Sequence, residues 1–228
     1  MKLKGLIFDF DGLIVDTEWP AFKGLQTVYA RYGMDLHEST FGKIVGTHSH
    51  EEFHEYHTLA NNLPSGTLPE EEFYAMYQAE KTSLYKDMVV LPGVREMIAM
   101  AKENDLKLAI ASSSPASWVN NFLAQFGLRG QFDQVITQDL VEHVKPEPDL
   151  FLLAQKKLGF AKDELVIFED SKNGVIAANR AGIHVVLIPN PVTRHLEIRG
   201  ESLRVSSMAE LTLERLDALV CGAMPGQD

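Results

Sequence analysis

The sequence predicts an α/β protein, in which a parallel β-sheet carries helices on both faces and an all-helical domain is inserted after the first strand. Three observations predict this architecture. Short apolar runs alternate with amphipathic helical patterns over most of the chain, which is typical of a parallel sheet. Between residues 17 and 87 the alternation stops and only helical patterns occur. The length of 228 residues is sufficient for one large core and a smaller satellite domain.

The strand predictions depend on short runs that are rich in Leu, Ile, Val and Phe. Runs that are apolar at every residue, rather than at alternate residues, are typical of parallel strands buried on both faces. The predicted strands span residues 3–10, 106–111, 134–137, 165–168 and 185–188. Between them, apolar residues recur at helical spacing over 94–101, 118–126 and 148–158, which predicts helices that cover the sheet.

The segment 17–87 is predicted to be a separate helical cap. Two helical stripes carry this prediction, one from Phe22 to Tyr32 and one from Phe73 to Leu84. The chain then comprises a discontinuous core, residues 1–16 and 88–228, and a cap over residues 17–87. The two crossings, near Asp16 and near Lys86, are expected to act as hinges.

Composition limits the classes of partner and the compartment. The chain has 21 Lys and Arg against 32 Asp and Glu, which gives a formal net charge of −11. Such a chain repels nucleic acid and acidic membrane surfaces, so neither is expected as a partner. A single cysteine, Cys221, excludes an internal disulfide framework. The expectation is a cytoplasmic protein, with a monomer as the default state.

Polar and charged side chains follow the predicted strands. Asp9 and Asp11 end the first strand, three serines (Ser112, Ser113 and Ser114) follow the second, and Glu169 and Asp170 follow the fourth. Lys145 stands in a proline-containing loop before a predicted helix. Ligands of such sheets bind beyond the carboxyl ends of the strands, so these groups are expected to converge.

This set of groups suits phosphoryl transfer assisted by Mg²⁺. Two aspartates two residues apart on a strand would face the same way, and their repulsion requires a cation or a shared proton. Mg²⁺ prefers hard oxygen ligands such as carboxylates. An aspartate can also act as the nucleophile, while a second carboxyl protonates the leaving group. Ser114 and Pro115 are expected to begin the next helix, with the serine as its cap.

With these four motifs in this order, the chain resembles the haloacid dehalogenase-like phosphohydrolases. It is most similar to the branch with a helical cap, which includes β-phosphoglucomutases and sugar-phosphate phosphatases. The resemblance implies a Rossmann-like core, with Asp9 as nucleophile and metal ligand. It implies that Asp11 is the general acid–base and a metal ligand through its backbone carbonyl.

The same resemblance assigns the remaining motif residues. Ser112 and Lys145 would bind the transferring phosphoryl group, with Ser113 as a further candidate, and Glu169 and Asp170 would complete a Mg²⁺ site. The implied activity is hydrolysis of a small phosphorylated metabolite, such as a sugar phosphate, through an aspartyl-phosphate.

A phosphoglucomutase-like transfer between sugar hydroxyls is the alternative. Dehalogenases lack the second aspartate, so Asp11 argues against that class. The β-phosphoglucomutases carry a histidine where this chain has Ala21, and an arginine where it has the run Gly46-Thr47-His48-Ser49. Hydrolysis is therefore favoured, and Trp19, Thr47, His48 and His50 are candidate substrate contacts from the cap.

Two more distant alternatives remain open. The run His50-Glu51-Glu52-Phe53-His54, with His57 a turn further on, matches a short zinc-binding pattern. Its acidic, apolar-poor surroundings favour a solvated helical face instead. A catalytically inactive binding module on the same fold is the other alternative, and the presence of every catalytic-type residue argues against it.

Overall fold

The computed structural model describes residues 1–41 and 68–223. Six parallel strands form one sheet in the order β3-β2-β1-β4-β5-β6. The strands are β1 (Gly5–Phe8), β2 (Lys107–Ala111), β3 (Gln134–Ile136), β4 (Leu165–Glu169), β5 (His184–Leu187) and β6 (Leu203–Arg204). The predicted α/β class with a parallel, Rossmann-like sheet is therefore confirmed.

Eight α-helices are formed within the described residues. They are α1 (Glu18–Arg31), α2 (Glu38–Phe41), α3 (Glu70–Leu84), α4 (Val94–Glu103), α5 (Ala116–Gln125), α6 (Asp149–Leu158), α7 (Lys172–Ala181) and α8 (Leu213–Val220). No helix in these ranges combines the length and the apolar character that a membrane span requires.

The sheet separates two hydrophobic layers. Along β1, Leu6 and Phe8 pack into the layer formed with α4, α5 and α8. Ile7, which points the opposite way, packs into the layer formed with α6 and α7. The strands are buried on both faces because helices cover both, and this explains why their sequences are continuous apolar runs.

Helices α1 and α3 pack against each other and form a third hydrophobic cluster. Its buried residues come from this helical segment, except for Val192, which lies in the loop after β5. The segment that leaves the sheet after β1 lies beside the segment that returns to it, since Val15 forms an antiparallel bridge with Val90. The division into a core and a cap over residues 17–87 stays a prediction, since part of that segment lies outside the described residues.

The strand predictions need two corrections. The first strand ends at Phe8 rather than at residue 10, because the chain turns at Gly12, whose φ is +76°. Asp9 and Asp11 therefore lie beyond the strand, in the turn. The sixth strand was not predicted, because a two-residue strand is too short to show a pattern.

Candidate active site

The strand order brings the predicted site residues to one edge of the sheet. β1 lies between β2 and β4, and Phe8 is in register with Ile110 on one side and Phe168 on the other. Asp9 is therefore level with Glu169, the last residue of β4, and with Ala111, the last residue of β2, which Ser112 follows. The backbone N–H of Asp9 still donates to the carbonyl of Phe168, at 3.0 Å.

Three buried carboxylates form the centre of the site. Asp9, Glu169 and Asp170 each place an oxygen within 4.8 Å of the others, and none is more than 7% exposed. Lys145 lies among them, with Nζ at 2.5 Å from Asp9 Oδ1 and 2.6 Å from Glu169 Oε1. The Lys145 ammonium also lies 4.9 Å from the centre of the Phe151 ring, which supports it from another side.

This centre has more carboxylates than the single ammonium of Lys145 can neutralise. With all three carboxylates ionised, their charge and that of Lys145 sum to −2. The pKa of Asp9 is raised to about 7, because burial first, and then Glu169 and Asp11, raise it more than Lys145 lowers it. Burial raises the pKa of Asp170 well above its usual value, and the neighbouring carboxylates of Glu169, Asp9 and Glu18 raise it as well. Burial alone would lower the pKa of Lys145, but Asp9 and Glu169 outweigh it and raise that pKa.

Glu169 is held by donors on both of its oxygens. Oε1 accepts from Lys145, and Oε2 accepts from the backbone N–H groups of Asp170 and Ser171 and from the Ser171 hydroxyl. Ser171 is also the cap of α7, since its hydroxyl accepts from the N–H of Gly174 at 3.1 Å. The cap of α7 thus fixes the carboxylate that in turn holds Lys145.

Asp170 is oriented by a residue that sequence reasoning missed. Asn190 donates from Nδ2 to Asp170 Oδ2 at 2.6 Å, and its own Oδ1 accepts from the N–H groups of Val192 and Thr193. The other oxygen, Asp170 Oδ1, is buried and has no hydrogen-bond partner among the residues that the structure describes. An unpartnered buried carboxylate oxygen is costly, so this atom is placed for a ligand.

Asp11 lies near this centre, but its carboxylate has different partners. Oδ2 accepts from the Ser114 hydroxyl at 2.6 Å, and Oδ1 accepts from Trp118 Nε1 at 2.8 Å. The hydroxyl of Ser112 is 3.5 Å from Oδ2. The prediction that Ser114 caps the next helix is wrong: α5 begins at Ala116 after Pro115, and the Ser114 side chain is directed to Asp11 instead.

Two neighbouring hydroxyls are buried without a hydrogen-bond partner in the described ranges 1–41 and 68–223. They are Oγ of Ser113, a residue that is 8% exposed, and Oγ1 of Thr17. Glu18, in the first turn of α1, is a further residue that the sequence patterns did not indicate. Burial and the proximity of Asp11 and Asp9 raise the pKa of Glu18 to about 8.

Several predicted residues lie outside the described residues. They are the run 50–54, which matches the zinc-binding pattern, and the candidates Thr47, His48, His50 and His57.

Comparison with known proteins places the chain in a family. Residues 6–188 match the family described as haloacid dehalogenase-like hydrolase. Over 214 residues the chain is 41% identical to the protein named "Putative phosphatase YhcW" of Bacillus subtilis, with 94% of this chain and 96% of that protein covered. It is 32% identical to the "Phosphorylated carbohydrates phosphatase" of Thermotoga maritima, with 79% and 82% covered.

A solved structure agrees with the fold. The crystal structure of CbbY from Rhodobacter sphaeroides in complex with phosphate superimposes with a TM-score of 0.70, at 25% identity, and covers 91% of this chain and 96% of that chain.

Proposed function

The chain belongs to the haloacid dehalogenase-like hydrolases and is a phosphatase of that family, and from this premise we propose that it hydrolyses small phosphorylated carbohydrates through a phosphorylated Asp9. The observation that carries the proposal is the buried group of Asp9, Glu169 and Asp170 around Lys145. The relative named for phosphorylated carbohydrates supports the substrate class.

Asp9 is the proposed nucleophile. Lys145 binds Oδ1, which leaves Oδ2 to attack phosphorus. The new bond joins this oxygen to phosphorus, and the bond from phosphorus to the ester oxygen of the substrate breaks. Lys145 keeps Asp9 oriented and offsets negative charge on the phosphoryl oxygens, where a buried cation is most effective.

Asp11 is the proposed acid and base. In the first step its carboxyl gives a proton to the ester oxygen as the alcohol leaves. In the second step its carboxylate accepts a proton from the water that attacks phosphorus, and Asp9 is regenerated. The serines Ser112 and Ser113 are proposed to bind the phosphoryl oxygens, and the unpartnered Oγ of Ser113 supports this role.

The residues present fit a magnesium ion. Asp9 and Asp170 would hold it, with Asp170 Oδ1 as the oxygen that lacks a partner in the described part of the chain. Glu169 and the backbone carbonyl of Asp11 are further candidate ligands. With all three carboxylates ionised, the −2 charge of the centre equals in size the charge of a divalent cation. When bound, Mg²⁺ would neutralise charge on the phosphoryl group.

The experiment that tests the proposal measures phosphate release from 4-nitrophenyl phosphate and from a panel of sugar and hexitol phosphates. We expect activity with Mg²⁺, loss of activity with EDTA, and loss of activity in Asp9→Asn, because an amide is a poor nucleophile and a poor metal ligand. Asp105→Asn is the matched control, since Asp105 is exposed at φ +58°, a conformation that Asn tolerates. Full activity of Asp9→Asn, or in metal-free buffer, would contradict the proposal.

A further inference from the structure

Asp11 is held by two side chains that neither the metal centre nor the phosphate site explains. The indole N–H of Trp118 donates to Oδ1 at 2.8 Å, and the Ser114 hydroxyl donates to Oδ2 at 2.6 Å. Because each donor occupies a different oxygen, the two bonds together fix the plane of the carboxylate. An indole N–H can only donate, so it orients the carboxylate without exchanging a proton with it.

The indole is itself fixed by aromatic packing. Tyr85 contacts the Trp118 ring edge-on with centroids 5.4 Å apart, and Phe122 contacts it with centroids 4.7 Å apart. Tyr85 and Phe122 also contact each other, at 6.1 Å, so the three rings form a closed triangle. Phe122 is only 7% exposed, which anchors this triangle in the core.

The three rings of this triangle come from two helices that are separate in sequence. Trp118 and Phe122 lie on α5, one turn apart, whereas Tyr85 begins the short 3₁₀ helix Tyr85–Asp87, through which the chain leaves α3. The position of the indole, and hence of the donor to Asp11, therefore depends on α5 and on this returning segment together.

We propose that Trp118, with Ser114, is a positioning residue that sets the orientation of the Asp11 carboxyl for proton transfer to the leaving oxygen. The inference rests on the proposed role of Asp11 as acid and base. Proton transfer requires the carboxyl within hydrogen-bond reach of the leaving oxygen, and small errors of placement reduce rates strongly. Removing one donor lets the carboxylate rotate while its charge and the metal centre stay the same.

The test measures kcat/KM for a series of phosphate monoesters whose leaving groups range from 4-nitrophenol through phenol to an alkyl alcohol. This parameter reports the step in which the leaving group departs, whatever the rate of the second step. Trp118→Phe keeps an aromatic ring in the triangle and removes the N–H donor together with part of the ring volume, and the loss of packing is controlled for below. We expect a loss of about tenfold to a hundredfold for the alkyl ester and little change for 4-nitrophenyl phosphate.

Three further variants make the result specific. Ser114→Ala removes the other donor with every ring intact, so it gives the same leaving-group dependence even where Trp118→Phe folds poorly. Phe126→Leu is the matched control, since Phe126 stacks on Phe122 but has no bond to Asp11. In an Asp11→Asn background, Trp118→Phe should add little to the dependence, because both changes act on the same carboxyl.

The outcomes separate this inference from the proposed function. If Asp11→Asn steepens the dependence while Trp118→Phe and Ser114→Ala reduce all rates equally, or not at all, the positioning role is overturned and the acid role of Asp11 stands. If Asp11→Asn leaves the dependence unchanged, the acid role itself is overturned and the inference with it. Equal mild losses in Trp118→Phe and Phe126→Leu would reduce Trp118 to a packing residue.

Discussion

Individual hydrogen bonds orient the carboxylates of the site, and the bonds of Asn190 show this most clearly. Its amide holds Asp170 Oδ2, so Oδ1 is the oxygen left for a cation. Its Oδ1 is bound by the backbone of the loop that carries Val192 into the cluster of α1 and α3. The Asn190 side chain thus joins a candidate metal ligand to the loop that contacts the cluster of α1 and α3.

We predict that Asn190→Ala weakens Mg²⁺ binding by about 10–100-fold, the usual effect of losing a partner that orients a metal ligand. The measurement is isothermal titration calorimetry of Mg²⁺ into the metal-free protein. Asn120→Ala is the control, since Asn120 is exposed and bonds only a carbonyl of its own helix. Unchanged affinity in Asn190→Ala would show that Asp170 needs no such support.

At the scale of elements, β4 and α7 act as a unit around Glu169. Gly174, in the first turn of α7, lies directly against that carboxylate: a Cβ built on it would be 1.8 Å from the Glu169 Cδ and 2.0 Å from both oxygens. Helix propensity favours alanine over glycine by about 1 kcal/mol. At this position the steric clash outweighs the helix propensity of alanine, because the Glu169 carboxylate that the Cβ would displace binds Lys145.

We therefore predict that Gly174→Ala lowers kcat by about tenfold or more, because the Glu169 carboxylate and Lys145 lose their placement. Overpacking of this kind also costs about 1–3 kcal/mol of unfolding free energy. Steady-state kinetics and thermal unfolding measure the two effects. Lys172→Ala, at an exposed position of the same turn, should change neither. A Gly174→Ala enzyme with unchanged kcat would contradict this account of Glu169.

The elements also show what the sequence can predict. The parallel sheet and the positions of Asp9, Ser112 and Glu169 follow from apolar runs and from the polar residues at their ends. Lys145 lies in a loop, and only the family resemblance assigns it to the site. Trp118 resembled one more apolar residue in a helical stripe, and Asn190 one more polar residue in a loop. Their roles depend on side-chain direction across elements distant in sequence, which periodicity does not contain.

The whole molecule carries an excess of negative charge, with a net charge of −11, and the centre of the site is also rich in carboxylates. An acidic protein that binds an anionic ester needs concentrated positive charge where the ester lies. In the described residues, Lys145 is the buried cation at the centre, and a divalent ion held by the carboxylates would supply the rest. The predicted substrate contacts Thr47, His48 and His50 lie in segment 42–67, outside the described residues, and remain predictions.

The central claim is that the buried group around Lys145 makes Asp9 a nucleophile, and detection of phosphorylated Asp9 tests it most directly. Asp11→Asn is the enzyme for this measurement, because 4-nitrophenolate leaves without a proton while the second step lacks its base. Acid-quenched samples taken with Mg²⁺ and 4-nitrophenyl phosphate are digested and analysed by mass spectrometry. We predict a phosphoryl group on Asp9 that forms together with the burst of 4-nitrophenolate. Release of 4-nitrophenolate with Asp9 unmodified, or with the phosphoryl group on another residue, would contradict the claim.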